Sequence, residues 1–478
     1  MRWELVGEGN RNLVVRRRDI DETAAAHAHA GEGSLVVPRG KVLRLRKLTD
    51  ARCDIRGGGA GAGAEAGAGA GLSRIDEELW APHDVTGTCE TTLTHSFAEN
   101  VLRRRVCDEA SGSVELEAGE LVRLPQQMLD EIARDVCGST RGSAAPSALG
   151  ETALVLTDWT LWSPRADVPR RMGLICVELK PKCALLPSNR DGRHLCIDSV
   201  DPLRMHVLKY FLVSLHRGRH TRYDPRMLFF PEAYPDRRRC LEALIVTPCN
   251  NFRVSVDGRR VYPPTSGCHL GEERGREVLR RALETAIGAA HSNSANSPST
   301  TEGGQMGQRG GRDAVDALVD TILSLLTSSG VLESIARVQG ADRVDTVGAL
   351  SLYADVIGRS GDASLPSVPN LESLPRAEKL RLLSEWSLSL WAKDCSIMLA
   401  FDSDAMYSRD VSTERNRKDA AAAVAVVDID LKPASKAADT YRTEKALLAT
   451  AEEFLGGGDS ARAVASASRR IQDRLATL

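Results

Sequence analysis

The sequence predicts an α/β (α+β) chain, on three observations. Short apolar runs alternate with charged residues at a period of two, as in Lys41-Val42-Leu43-Arg44-Leu45-Arg46-Lys47, the pattern of a half-buried strand. Other stretches space their apolar residues at threes and fours, as Leu124, Met128, Ile132 and Val136 do, the pattern of an amphipathic helix. Between these lie tracts of almost pure Gly and Ala, or of Ser, Asn and Gly, that cannot bury enough surface to order themselves. At 478 residues the chain holds two lobes plus insertions, or two to three ordinary domains.

Aromatic residues make up only 4% of the chain against an ordinary 42% apolar, as expected where low-complexity insertions dilute a globular scaffold. The net charge of −2 excludes a globally basic nucleic-acid binder, yet 63 lysines and arginines leave room for a local basic pocket. Eleven cysteines, odd in number and scattered without a C-x-x-C, suit reduced intracellular thiols better than a disulfide framework or a zinc module. The start Met1-Arg2-Trp3-Glu4 has no apolar h-region, and no run of about 18 apolar residues exists to span a bilayer. The expectation is a protein of the cytoplasm or nucleus. The arginine triplets at 16–18, 103–105 and 237–239 read as import signals or as solvated faces.

From the N-terminus, Trp3-Glu4-Leu5-Val6 and Leu13-Val14-Val15 flank a turn containing Gly7 and Gly9. Backbone N–H groups in such a turn can cradle a phosphate, but a hairpin tip with no ligand looks the same. Residues 24–33 read as a polar insertion whose His27 and His29 have no third metal ligand nearby. Residues 57–71 read as a disordered loop, and 80–97 is poorly periodic. A helix is expected over 121–136, opening after Leu121-Val122. Leu154-Val155-Leu156 and Leu174-Ile175-Cys176-Val177 read as buried strands of one small sheet.

Residues 201–214 read as a helix carrying Arg204, His206 and Lys209, and Arg222-Tyr223-Asp224-Pro225 as turn chemistry. Ala243-Leu244-Ile245-Val246-Thr247 reads as a strand running into Pro248-Cys249-Asn250-Asn251, with Asp257-Gly258 as a hairpin turn. Residues 291–312 are expected to be a flexible insertion. Val315, Leu318, Val319, Ile322, Leu325 and Leu326 make one core-facing helical face, and 380–391 another. The tail, 443–478, reads as helical and interrupted by Gly456-Gly457-Gly458.

The most specific stretch is Cys176-Val177-Glu178-Leu179-Lys180-Pro181-Lys182-Cys183. In an extended strand Glu178, Lys180 and Lys182 share one face, and Pro181 marks an edge or a strand end; a solvated edge with incidental charges has the same pattern. Asp394 leads the apolar run Cys395-Ser396-Ile397-Met398-Leu399-Ala400-Phe401, and Asp428 ends the apolar run 421–427. Of two carboxylates at separate strand ends, one could act on a hydroxyl and the other hold a metal. Phosphoryl transfer needs both, with a phosphate-covering loop and cations, and the chain offers a candidate for each in the order a kinase presents them. The surplus of lysine and arginine at these positions indicates a polyanionic acceptor.

Together Gly7-Glu8-Gly9 with Asn12-Leu13-Val14, Val42-Leu43-Arg44, the Glu178-Leu179-Lys180-Pro181-Lys182-Cys183 block, Arg204-Met205-His206, Tyr223-Asp224-Pro225, Thr247-Pro248 with Asn250-Asn251-Phe252-Arg253, Asp394-Cys395-Ser396-Ile397-Met398 and Asp428-Ile429-Asp430-Leu431-Lys432-Pro433 resemble the inositol-pentakisphosphate 2-kinases. The resemblance covers 3–441. It implies a two-lobed, protein-kinase-like inositol phosphate kinase fold: an N-terminal lobe over 1–163, a C-terminal lobe over 164–442 and a helical tail over 443–478. The implied reaction transfers phosphate from ATP, with Mg²⁺, to the 2-hydroxyl of inositol 1,3,4,5,6-pentakisphosphate, giving inositol hexakisphosphate.

By position, the resemblance implies that Asp394 accepts or orients the hydroxyl proton and that Asp428 is the Mg²⁺ ligand. Gly7, Glu8, Gly9, Asn12, Arg44, Glu178, Asn251 and Arg253 fall on the nucleotide side. Arg141, Lys180, Lys182, Arg204, Lys209, Asn250, Lys432, Lys436 and Tyr441 fall on the inositide. Val6 stands where the family often has arginine, and the family's tyrosine after Lys436 falls on Thr440 by strict spacing, one residue before Tyr441. Some plant members bind zinc between the N-N-F-R and D-C-S blocks; here that interval holds Cys268, His269 and His291, and no zinc is expected. A monomer without nucleic-acid partner or membrane span is expected. Two other readings stay open: a catalytically weak inositol-polyphosphate-binding scaffold, and a kinase of the same architecture for another small molecule.

Overall fold

The computed structural model describes residues 3–8, 12–17, 37, 40–48, 73–107, 114–136, 148–162, 173–188, 194–264, 272–294, 313–359, 365–407, 422–456 and 461–477. Two compact units divide the chain: 1–101 with 117–159, and 102–116 with 160–478. The strands in chain order are β1 (Trp3–Glu8), β2 (Asn12–Arg17), β3 (Lys41–Leu48), β4 (Val114–Leu116), β5 (Glu120–Arg123), β6 (Ala148–Thr157), β7 (Leu174–Leu179), β8 (Phe252–Val256), β9 (Arg259–Tyr262), β10 (Ser396–Asp402) and β11 (Ala422–Val427).

The first unit is built on a five-stranded antiparallel sheet ordered β1-β2-β3-β6-β5. Alternation sorts its side chains by face. Leu13, Val15, Leu43, Leu45, Ala153 and Val155 pack with Leu129, Ile132 and Val136 of the Gln126–Val136 helix in one core. Asn12 and Arg44, each one residue out of step with that set, share the opposite face, where Arg44 is buried. Between Leu5 and Gly7 the β1–β2 register slips, a bulge at the glycine turn.

The second unit carries a six-stranded sheet ordered β4-β11-β10-β7-β8-β9, antiparallel except for the β4–β11 pair. β10 and β7 are its central strands, and their apolar residues are buried almost without interruption, as expected of strands covered on both faces. The Ala314–Ser329 and Val331–Gln339 helices meet at Gly330, whose φ of 66° is the left-handed conformation that glycine adopts without a Cβ penalty. Among the described residues no single helix is long and apolar enough to cross a membrane. The bent pair at Gly330 spends its apolar residues in the core.

The structure differs from the sequence expectations at several points. Ala243–Val246 is the end of the Arg237–Val246 helix, not a strand, because Asp236 caps the preceding turn through the Arg239 N–H. The 201–214 helix begins only at Lys209, after turns through 201–207. β6 and β7 belong to different sheets, and β7 is interior, so Pro181 marks a strand end and not an edge. The expected alternation through Lys182 stops at Leu179. The 80–97 stretch starts at the last residue of the Arg74–Trp80 helix and ends with the Glu90–Phe97 helix, and the Glu272–Ser294 helix extends into the start of the 291–312 insertion. Residues 24–33 with His27 and His29, all of 57–71, and 295–312 lie outside the described residues.

Phe401 lies fully buried in the central strand β10. Phe401→Ala is expected to destabilise the protein by about 3–5 kcal/mol. Urea denaturation checks this; an unchanged midpoint contradicts the central placement of β10.

Candidate functional site

The registers of the second sheet bring four motif blocks to one end of it. Leu179, the last residue of β7, pairs with Ile397 near the start of β10 and with Phe252 at the start of β8. Ser396 in turn pairs with Val427, the last residue of β11. The chain therefore leaves β7 into Lys180-Pro181-Lys182, enters β8 from Asn250-Asn251, enters β10 from Asp394-Cys395 and leaves β11 into Asp428, all at the same sheet end. Three non-glycine residues with left-handed backbones gather there: Lys182 (φ 63°), Cys249 (φ 42°) and Asp428 (φ 76°). Such conformations persist where the surroundings hold them, and they concentrate at working sites.

Two lysines face two carboxylates at this edge. Lys182 Nζ donates to Asp394 Oδ1 at 2.8 Å, and Lys180 Nζ lies 3.7 Å from Asp428 Oδ2. Partial burial pushes the Asp394 carboxyl up, but the Lys182 ammonium, by charge and by hydrogen bond, together with Lys180 and Lys432, outweighs it and holds the group below the usual carboxylate range. Asp394 is thus ionised at neutral pH, with its side chain 57% exposed. Burial pushes the neighbouring Cys395 thiol up to about 12, which removes it as a nucleophile. Glu178 and Arg253, opposite each other on β7 and β8, form a 2.8 Å ion pair, and Glu178 Oε1 also accepts from Ser396 Oγ at 3.2 Å.

Sequence reasoning missed the side chains that hold this edge. Gln339, buried at the end of the Val331–Gln339 helix, donates to the carbonyls of Lys182 (2.9 Å) and Ala392 (3.1 Å), and its oxygen accepts from Ala184 N at 3.3 Å. One amide thereby ties the loop after β7 to the chain that leads into Asp394. The Arg376–Ala392 helix adds three further contacts: Trp391 Nε1 donates to the Asp428 carbonyl at 2.7 Å, Ser389 Oγ to the Gln339 carbonyl at 2.7 Å, and Ser387 Oγ to the Lys432 carbonyl. The signal was present as Ser387, Ser389 and Trp391 on a helix otherwise filled with leucine. Polar side chains on a buried helix face must find partners.

Lys182, Arg204, Lys209, Asn250, Asn251 and Asp394 line one cavity of 1050 Å³, with eight lysines and arginines against four carboxylates among the described residues of its wall. Arg204 and Lys209 already have acidic partners: Lys209 Nζ donates to Glu444 Oε2 at 2.8 Å, and Arg204 lies 3.6 Å from Glu444 and 3.9 Å from Asp345. Burial disfavours the Arg204 charge, and Asp345 and Glu444 more than restore it. Burial likewise disfavours the Asp345 carboxylate, and Arg204, Lys393 and Lys209 outweigh it. Asn251 is buried, and its Nδ2 donates to Tyr210 Oη at 3.2 Å.

Lys432 adds its charge near Asp394, while Lys436 lies 3.4 Å from Asp439. Thr440 lines the cavity, whereas Tyr441 lies under Lys445 Nζ at 5.4 Å from the ring centre. In the first unit, Gly7 and Glu8 end β1, and Asn12 and Arg44 lie on β2 and β3. Gly9 and Arg141 fall outside the described residues, as do Cys268 and His269. Among the described residues no three His, Cys, Asp or Glu side chains are grouped to hold a metal ion. Mg²⁺, however, characteristically takes one or two protein carboxylates and completes its shell with water and substrate phosphates, so Asp428 alone fits that demand.

The chain matches the family model described as inositol-pentakisphosphate 2-kinase over residues 6–446. It is 26% identical over 465 residues to an Arabidopsis thaliana protein named inositol-pentakisphosphate 2-kinase, covering 93% of this chain and 92% of that one. A protein of the same enzyme name from Oryza sativa subsp. indica is 23% identical over 483 residues, covering 93% and 92%. A Danio rerio inositol-pentakisphosphate 2-kinase is 23% identical over 418 residues, covering 76% and 84%. With four of the quoted motif blocks meeting at one sheet end and the family match spanning nearly the whole chain, this protein belongs to the inositol-pentakisphosphate 2-kinase family of transferases.

Proposed function

We propose that the protein phosphorylates the 2-hydroxyl of inositol 1,3,4,5,6-pentakisphosphate with ATP, giving inositol hexakisphosphate. The observation that carries this reading is the pairing of Asp394 with Lys182 on the wall of a cavity with twice as many cations as carboxylates. A pentakisphosphate brings close to two negative charges per phosphate, which matches such a wall. The protein-kinase-like fold with lobes at 1–163 and 164–442 belongs to the same proposal.

In this mechanism Lys182 and Lys180 turn from their carboxylates to the acceptor's phosphates, with Asn250 and Lys432 beside them. Asp394, released from Lys182, accepts the hydrogen bond of the 2-hydroxyl and aims its oxygen at the γ-phosphorus; the new O–P bond forms as the bond from the γ-phosphorus to ADP breaks, ADP leaves, and the hydroxyl proton passes to Asp394. Even freed of Lys182, a carboxylate is a weak base toward a hydroxyl. In a loose phosphoryl-transfer transition state, though, positioning matters more than early proton removal. Glu178, braced by Arg253 and Ser396, marks the nucleotide side of β7. Asp428 would hold Mg²⁺, which when bound neutralises charge on the transferring phosphoryl group.

Incubation with Mg-ATP and inositol pentakisphosphate, followed by ion-exchange separation of the products, is expected to show hexakisphosphate. Its absence at every enzyme concentration would overturn the reading, and binding without turnover would leave a scaffold. Asp394→Ala is expected to lower kcat by about 10²–10⁴-fold. Inositide affinity should hold or tighten, because Lys182 loses its competitor; a large loss of affinity with substantial turnover contradicts the role.

The pH dependence has a definite sign. Lys182 depresses the Asp394 pKa, so the ionised form persists to lower pH than for an ordinary carboxylate. Lys182→Met is therefore expected to move the acid limb of kcat/KM to higher pH. A limb that stays in place in a pH–rate profile means that Asp394 is not the group titrating.

A further inference from the structure

The Tyr223-Asp224-Pro225 turn has no direct role in the chemistry above, yet its segment joins the site to the far end of the chain. Tyr223, fully buried, donates from its hydroxyl to the Pro181 carbonyl at 2.6 Å, on the peptide between Lys180 and Lys182. Two residues earlier, Thr221 Oγ1 lies 3.1 Å from Tyr210 Oη, which itself accepts from Asn251 Nδ2 at 3.2 Å. The hydroxyls of Tyr210 and Thr221 share a hydrogen bond, and Tyr210 passes the position of this segment on to Asn251.

The other side of the segment is gripped by the Ala461–Thr477 helix. The Leu475 carbonyl accepts from Thr221 N at 3.0 Å, the Ala476 carbonyl from His220 Nε2 at 2.9 Å, and Gln472 Nε2 donates to Asp224 Oδ2 at 3.2 Å. Ala467, Ile471 and Leu475 are fully buried in one cluster with Leu208, Phe211 and Leu212. The helix thus ends on carbonyls that have no N–H donor within their own helix, and the segment supplies the donors. The family match stops at residue 446, before this helix begins.

We propose that the Ala461–Thr477 helix is a positioning element of the inositide site, acting through Thr221 and Tyr223 on the Lys180-Pro181-Lys182 turn and on Asn251. The proposal rests on the reading of this site as an inositide pocket. Lys182 holds a left-handed backbone conformation that neighbours must maintain, and the Tyr223 hydroxyl bonds to the peptide immediately before it. Tyr223 is a positioning residue; it reaches the substrate only through the lysines.

The test titrates inositol pentakisphosphate calorimetrically into the full chain, into Tyr223→Phe, and into a chain ending at Arg474, which lacks the Leu475 and Ala476 carbonyls. The Mg-ATP KM is measured on the same samples. Both variants are expected to lose about tenfold in inositide affinity while the ATP KM stays within about twofold. Their combination should lose less than the product of the two, because both break one link. Inositide affinity unchanged in both variants overturns the proposal, as does an ATP KM raised by the same factor, which would be general loosening. If the shortened chain does not fold, Tyr223→Phe, which removes one oxygen and keeps the ring, decides alone. A full chain that binds the inositide but makes no hexakisphosphate overturns the functional reading, and the calorimetry still decides the positioning; no heat of binding in the full chain overturns both.

Discussion

The site depends on the antiparallel register of β10 against β7 and β11. Strand side chains alternate, so a slip of one residue would turn every apolar residue of β10 toward the wrong layer and move Asp394 out of line with Lys182. Ile397, Leu399 and Phe401 are buried on one side and Ser396 and Ala400 on the other, so a slip would force the bulky set into the space packed around the small one. The hydrophobic pattern that stabilises the sheet is therefore the same constraint that sets the spacing of the charged groups at its end.

Register alone sets strand ends, not the loops beyond them. Those are held by buried polar side chains on two helices, Gln339 on one and Ser387, Ser389 and Trp391 on the other. Gln339, Trp391 and Ser387 bond the backbone carbonyls of Lys182, Asp428 and Lys432, and Ser389 bonds the carbonyl of Gln339 in turn. A backbone carbonyl buried without a donor costs about 1–3 kcal/mol, so each loop conformation is enforced by the penalty of leaving it. This accounts for Lys182 and Asp428, both in left-handed backbones that an unsupported loop would relax.

What could be read in the sequence follows from the range of the interaction involved. A period-two run located β3, continuous apolar runs located β7, β10 and β11, and the Asp257-Gly258 pair located the β8–β9 hairpin, where both residues have positive φ. Ala243-Leu244-Ile245-Val246 misled because a short buried apolar run has no period, and the deciding evidence, the Asp236 cap, sits seven residues upstream. Assigning β6 and β7 to one sheet failed for another reason: sheet membership is a non-local property. At the site, the charged motifs were visible as residue types. Their partners were not, since Glu444 facing Lys209 and Asp394 facing Lys182 are separated by more than 200 residues.

The charges around the cavity fall into two groups with different physical roles. Arg204, Lys209 and Lys393 are met by the buried carboxylates of Glu444, Asp345 and Asp342, and removing the cations would strand a buried charge. These pairs brace the wall whether or not a ligand is present. Lys182 differs: its partner Asp394 is largely exposed, so the pair is screened and can be exchanged at little cost. A polyanion arriving at the wall would compete for Lys182 far more readily than for Arg204. On the proposed reading, binding would then free the exposed carboxylate whose ionised state the lysines had secured, so that Asp394 becomes available to a hydroxyl when phosphates occupy the site.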